Sequence, residues 1–131
     1  MKVKAYKEDR DWHVLASWWD GWKHPIISPE DVCETGFIAF NEKDMPIVAC
    51  FLVLTNAVYA YVESFISDPK SGWQEREIGI KYLLDHISNV AFDLDYKRLI
   101  IVPEKERLKD KVTNAGFLMN KEKVFLCVKE L

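Results

Sequence analysis

Apolar residues recur along the chain with a period near 2 in some stretches and near 3.6 in others, and the alternation of the two periods lays out the elements. "KVKAYK" alternates as a short strand does. "EDRDWHVLASWWDGW" follows with acidic residues in its first turn, where a helix dipole favours them. On that helix Trp12, Leu15, Ala16 and Trp19 form one stripe expected to face the core, while Val14, Trp18 and Trp22 fall on a neighbouring face that needs a partner of its own. "KHPIISPEDVCETG" predicts a short second helix inside a loop, with Ser28 as its cap and Pro29 at its first position.

From residue 36 the period becomes 2. "GFIAFNE", "PIVACFLVLT" and "AVYAYVESFIS" are β-rich runs joined by "EKDM" and "TNA", connections short enough for an antiparallel meander whose last strand covers 57–67. Near Trp73 the helical period returns, with Ile80, Leu83, Leu84, Ile87 and Ala91 on one side. "KRLIIVP" is a short, continuously apolar strand that suits parallel pairing through the preceding helix. "EKERLKDKVTNAGF" then predicts a helix stopped by Gly116, and "EKVFLCVKE" a final strand.

Composition narrows the function classes. The chain has 131 residues, 49% hydrophobic and 30% charged, enough to bury a core as one domain over 1–131. With 18 basic against 21 acidic side chains and no basic block, nucleic acid is not an expected partner. The opening "MKVKAYKEDRDW" turns charged before an apolar signal core forms, and no run approaches the roughly 18 apolar residues of a membrane span, so a soluble, cytoplasmic protein is expected. Cys33, Cys50 and Cys127 sit far apart in apolar surroundings and are expected to be buried thiols. His13, His24 and His86 show no ligand spacing and there is no CxxC, so no metal site is expected.

Two features carry candidate chemistry. In "YVESFISDPKSGWQEREIGIK" a strand hands its chain to a helix, whose first N–H groups lack partners and form a ready anion site. Glu63 lies in an otherwise apolar and aromatic strand, where a carboxylate must be paired, solvated by a cleft or raised in pKa.

The element order, with "TGFIAFNEKDMPIVACFLVLTNAVYAYVESFISDP", the helix from Trp73, "YKRLIIV" and "NAGF", resembles the GNAT superfamily of acetyl-CoA-dependent N-acetyltransferases over essentially the whole chain. Together with "LASWWDGW" these stretches look like the small GNAT-like proteins of bacteriophages. The resemblance implies an α+β, three-layer fold: a mixed, mostly antiparallel sheet flanked by helices, with a splayed central strand pair. It implies acetyl-CoA as co-substrate, with backbone of Phe65, Ile66 and Ser67 on the pantetheine arm and the pyrophosphate near Trp73, Gln74, Arg76, Glu77 and Ile78. Glu63 matches the family's general base in strand placement, and Trp18 and Trp22 lie where GNAT folds build the acceptor side. The acceptor would be a primary amine of a small molecule or of a protein lysine or N-terminus, and the assembly a monomer or homodimer.

The chain also departs from the family. The usual Q/R-x-x-G-x-G/A loop is replaced by "SGWQEREIGIK", with Gly72 and Gly79 seven apart; Gly79 is expected to be a packing glycine. The tyrosine that many members carry four residues before "GF" is Val112 here, the earlier asparagine slot holds Lys105, and Tyr59, Tyr61 and Tyr82 are expected to pack in the core. These departures keep a second reading open: a GNAT-shaped binding protein without turnover, phage-encoded and acting on a host protein in the host cytoplasm.

Overall fold

The computed structural model describes residues 1–103, 106–119 and 127–131. Among them five strands and three helices follow one another as β1 (Lys2–Ala5), α1 (Glu8–Gly21), β2 (Gly36–Phe40), β3 (Pro46–Val53), β4 (Tyr59–Ser67), α2 (Trp73–Asp93), β5 (Arg98–Ile101) and α3 (Glu106–Asn114). The short helix expected after Ser28 is a single 3₁₀ turn, Pro29–Asp31. The expected closing strand over 122–130 falls mostly outside the described residues, and 127–130 carry no regular structure.

The sheet has the order β1-β2-β3-β4-β5. Neighbours are antiparallel through β4, and β5 joins β4 in parallel after the α2 crossover. A tight turn closes β2 to β3: the Asn41 side-chain oxygen accepts from the N–H groups of Lys43 and Met45, and Asp44 takes a left-handed φ of 58°. Helices cover both faces, which is why β2 and most of β3 are buried as continuous apolar runs rather than alternating ones.

On one face α2 lays Ile80, Leu83, Leu84, Ile87 and Ala91 against Val48, Cys50, Leu52, Ala60 and Val62. Gly79 lets that helix approach: a Cβ there would stand 2.5 Å from Val48 Cγ1. On the other face α1 brings Leu15, Trp18 and Trp19 against Ile38, Phe40, Ala49, Phe51 and Ile66.

The buried stripe of α1 is Asp11, Leu15, Trp18 and Trp19 rather than the expected Trp12, Leu15, Ala16 and Trp19. The helix is turned by roughly 60° from the expected setting, at 100° per residue. Its first turn explains the rotation. Asp11 is drawn inside by its own hydrogen bonds, accepting the Lys7 N–H at 2.8 Å and two Arg10 N–H groups at 2.7 Å, while Arg10 also donates to the Ala5 carbonyl. A buried carboxylate with both oxygens satisfied costs little. Trp12 is only partly buried and donates its indole N–H to the Ile27 carbonyl at 2.9 Å.

Candidate functional site

Along β4 the pairing changes abruptly. Ala49 faces Ile66 and Phe51 faces Glu63, so Cys50 alone stands opposite both Ser64 and Phe65. This is a β-bulge, and Ser64 supports it with a left-handed φ of 56°. The extra residue reverses which face each side chain meets. Before the bulge Ala60 and Val62 belong to the α2 face; after it Phe65 packs toward α2 and Ile66 toward α1. The parallel pairing with β5 also stops there, at Val62 with Ile101. From Glu63 to Ser67 β4 is hydrogen-bonded to β3 on one side while its other edge is unpaired among the described residues.

By the alternation of an antiparallel ladder, Asp68, whose N–H reaches the Ile47 carbonyl at 2.8 Å, fixes the direction of its neighbours. Ser67 turns its peptide groups to the open edge, where its carbonyl accepts a side-chain donor, and Ile66 turns its own to β3. Of the three backbone positions expected to meet a ligand, Ile66 therefore has its peptide already engaged by the sheet.

The open edge leads into the first turn of α2. Gly72 caps that helix without a side-chain hydrogen bond, leaving first-turn N–H groups without a side-chain acceptor. Arg76 folds back so that a guanidinium N–H donates to the Ser71 carbonyl, and Trp73, Gln74, Glu77 and Ile78 are exposed around it. Lys111 on α3 stands near Glu77, Arg107 and Arg76; partial burial is the largest influence on its ammonium and pulls its pKa below the usual lysine range.

On the α1 side of the bulge lies a cleft of about 330 Å³, lined by Trp19, Ile27, Glu30, Asp31, Val32, Cys33, Phe51, Val53, Glu63 and Ser64. Glu63 reaches it because the residues before the bulge alternate faces, Val62 to α2 and Glu63 to α1. Glu63 is exposed, so solvent in the cleft satisfies its charge. None of Glu30, Asp31 and Glu63 forms an ion pair among the described residues; Asp31 accepts a hydrogen bond from Ser28 at 3.0 Å. The cleft has an apolar and aromatic wall and an acidic rim.

The tryptophans are arranged otherwise than the helical wheel suggests. Trp18 does not share an accessible face with Trp22: it is 4% exposed and packs beside Trp19 in the core, a consequence of the rotated helix. Trp22 is 38% exposed, yet it leaves the cleft and reaches the end of β4, where its indole N–H donates to the Ser67 carbonyl at 2.7 Å. The Arg76 guanidinium stacks on its ring, 5.6 Å from the centroid. Cleft residues absent from the sequence-based set include Trp19, Phe51, Cys33 and the acidic pair of the 3₁₀ turn. The signal for the last was "SPEDVCE", two carboxylates in a proline-bearing loop.

Other expectations also meet the structure. Val112 is 3% exposed in the α2-side core, and Lys105 lies outside the described residues. Tyr59 and Tyr61 are half-buried edge to face with each other, whereas Tyr82 is exposed on α2 instead of packed in the core. Cys50 is buried and Cys33 half-buried, but Cys127 is exposed, because it belongs to a terminal stretch that nothing described covers. No helix among the described residues is long and apolar enough to cross a membrane, and among them no three His, Cys, Asp or Glu side chains converge as a metal set.

No family model matches the chain, and no curated protein matches its sequence. In shape it is similar to a probable acetyltransferase, with 11% identity, 100% of each chain covered and a TM-score of 0.73. A putative acetyltransferase from Agrobacterium tumefaciens aligns with 13% identity over 98% of this chain and 100% of that one, at a TM-score of 0.72. An aminoglycoside acetyltransferase from an uncultured soil metagenomic sample, solved in complex with sisomicin, aligns with 14% identity over 99% of this chain and 96% of that one, at 0.71. At such identities the likeness defines the fold: a mixed, mostly antiparallel five-stranded sheet flanked by three helices, as in the GNAT acetyltransferases.

Proposed function

We propose that the protein is an N-acetyltransferase that moves an acetyl group from acetyl-CoA to a primary amine by direct attack in a ternary complex. The observation that carries this is the bulge in β4, which leaves a strand edge, unpaired among the described residues, running into an uncapped helix start and turns Glu63 into the cleft on the other side. One discontinuity thus supplies both halves of a two-substrate site.

Acetyl-CoA supplies an acyl thioester reactive toward neutral amines. The peptide groups of Phe65 and Ser67 suit the amides of the pantetheine arm once the Trp22 indole leaves the Ser67 carbonyl, and an N–H on that edge polarises the thioester carbonyl. First-turn N–H groups of α2 suit the pyrophosphate, with Arg76 adding charge-assisted bonds and Arg107 and Lys111 contributing positive potential nearby. These cations compensate for the missing glycine-rich loop. Trp73, Gln74, Glu77 and Ile78 would border the phosphates, with the Glu77 charge offset by Lys111.

Glu63, or a water it orients, takes the proton of the incoming ammonium. The amine nitrogen then bonds the carbonyl carbon while the C–S bond breaks and the sulfur leaves as thiolate, which takes up, directly or through water, the second proton that the nitrogen sheds in becoming an amide. No enzyme acid is required for that departure, since a thiol of pKa ~8.5 leaves readily as its anion. The acidic rim and the aromatic wall of Trp19 and Phe51 suit a cationic amine. Likeness to an aminoglycoside acetyltransferase is in keeping with a small-molecule acceptor, and a protein lysine has the same chemistry.

Burial of Val112 where the family carries its tyrosine supports a second reading, in which a GNAT-shaped, phage-encoded protein binds a host protein without turnover. Calorimetric titration with acetyl-CoA separates the two. The enzyme reading expects a saturable isotherm and a raised Tm, with Arg76→Glu abolishing both while the apo protein stays folded. A flat isotherm at millimolar acetyl-CoA would remove it.

A further inference from the structure

We infer that Trp22 is a built-in competitor for the acyl-donor groove, closing the open edge of β4 until the donor displaces it. The inference rests on the acetyl-CoA reading above and concerns how that site is regulated.

One side chain engages both ends of the groove. The Trp22 indole N–H occupies the Ser67 carbonyl at 2.7 Å, on the edge that faces away from β3. An indole nitrogen is a donor only, so it satisfies that carbonyl in the way an incoming amide N–H would. The same ring lies 5.6 Å from the Arg76 guanidinium, which is also tied to the Ser71 carbonyl. In this state the strand-end acceptor is taken and the cation at the helix start is held against the ring. α1 and α2 lie on opposite faces of the sheet, so Trp22 spans the gap between β4 and the helix start.

The position is also one that can open. Trp22 is the C-cap of α1, beyond the buried Trp18 and Trp19, and it is followed by Lys23 at a left-handed φ of 59° and by an exposed stretch from His24 to Ile26. Rotation of Trp22 outward leaves the α1 core untouched. An amide that replaces the indole restores the hydrogen bond on Ser67, and Arg76 is freed for a phosphate, so opening and binding favour each other. Closure lowers apparent affinity by the fraction of molecules that are open. One hydrogen bond and one cation–π contact together set that factor on the order of tenfold.

The test is acetyl-CoA binding by calorimetry in wild type, Trp22→Phe and Trp22→Ala, with acrylamide quenching of tryptophan fluorescence. Trp22→Phe keeps a ring over Arg76 and loses only the donor; it is expected to bind several-fold more tightly, and Trp22→Ala about tenfold more tightly. Acetyl-CoA is expected to increase quenching in wild type and not in Trp22→Phe. If wild type binds while Trp22→Phe binds equally or more weakly, the competitor role is overturned and the acetyl-CoA site stands. If none of the three binds at millimolar concentration, the site itself is overturned and the competitor role with it. Should Trp22→Ala fail to fold, Trp22→Phe and the quenching of wild type decide.

Discussion

The two halves of β4 differ in residues and in surroundings. From Tyr59 to Val62 the strand is paired to β5, with Tyr61 and Val62 paired to β3 as well, and its Ala60 and Val62 are sealed under α2. From Glu63 to Ser67 one edge meets no strand among the described residues, a polar pair is exposed, and the side chains have changed faces. A single inserted residue separates a structural strand segment from the candidate site. A sheet edge opened in mid-strand leaves peptide groups in need of partners, and a binding groove is one way to supply them.

The comparison breaks most directly at Glu63. Glu63→Gln is expected to lower turnover by roughly 10²–10⁴, the range for losing a positioned proton acceptor, while acetyl-CoA affinity and Tm stay near wild type. Equal losses of affinity and turnover would make the carboxylate a structural one. The paired half should respond in the opposite manner. Leu52, fully buried opposite Val62, is expected to cost ~2–5 kcal/mol of stability on replacement by Ala, measured by urea unfolding, with acetyl-CoA affinity of the folded fraction unchanged.

Cys50 sits opposite the bulge itself and is completely buried, which pushes its thiol pKa far up. The folded state therefore keeps the proton when the unfolded chain loses it. This contribution is fully present below the ordinary thiol value of ~8.5 and declines as pH rises past it, by at most about 1.4 kcal/mol per pH unit for one proton. Unfolding curves between pH 7 and pH 10 should show that slope in wild type, with the Cys50-specific part missing in Cys50→Ala. The smallest effect is expected at Ser64. Glycine adopts a left-handed φ without the Cβ penalty, so Ser64→Gly should raise stability by ~0.5–1 kcal/mol, net of the greater freedom of the unfolded chain. A loss instead would mean that the Ser64 side chain contributes contacts in the cleft.

How far these halves could be read from residues alone differs feature by feature. The α2 stripe from Ile80 to Ala91 was legible because five apolar positions repeat at helical spacing over a long segment. The placement of Glu63 was legible because a lone carboxylate in a β-rich run needs a reason. The face assignment of α1 was not, because Trp12, Trp18, Trp19 and Trp22 are equally apolar to a helical wheel, and the rotation is decided by the hydrogen bonds of Asp11. Trp22 reached the end of β4 instead of the cleft for a similar reason: a C-cap side chain is aimed by its partner, here the Ser67 carbonyl.

The sequence by itself determined the order of elements, the antiparallel meander followed by a crossover, and the helix start next to the strand end, because periodicity and turn chemistry are local. Only the tertiary structure decided where β4 bulges, which edge it opens and which side chains meet across it. A bulge is set by register against a partner strand, and a cleft by elements far apart in sequence, such as "SPEDVCE" and Glu63. No single window of residues contains those pairings.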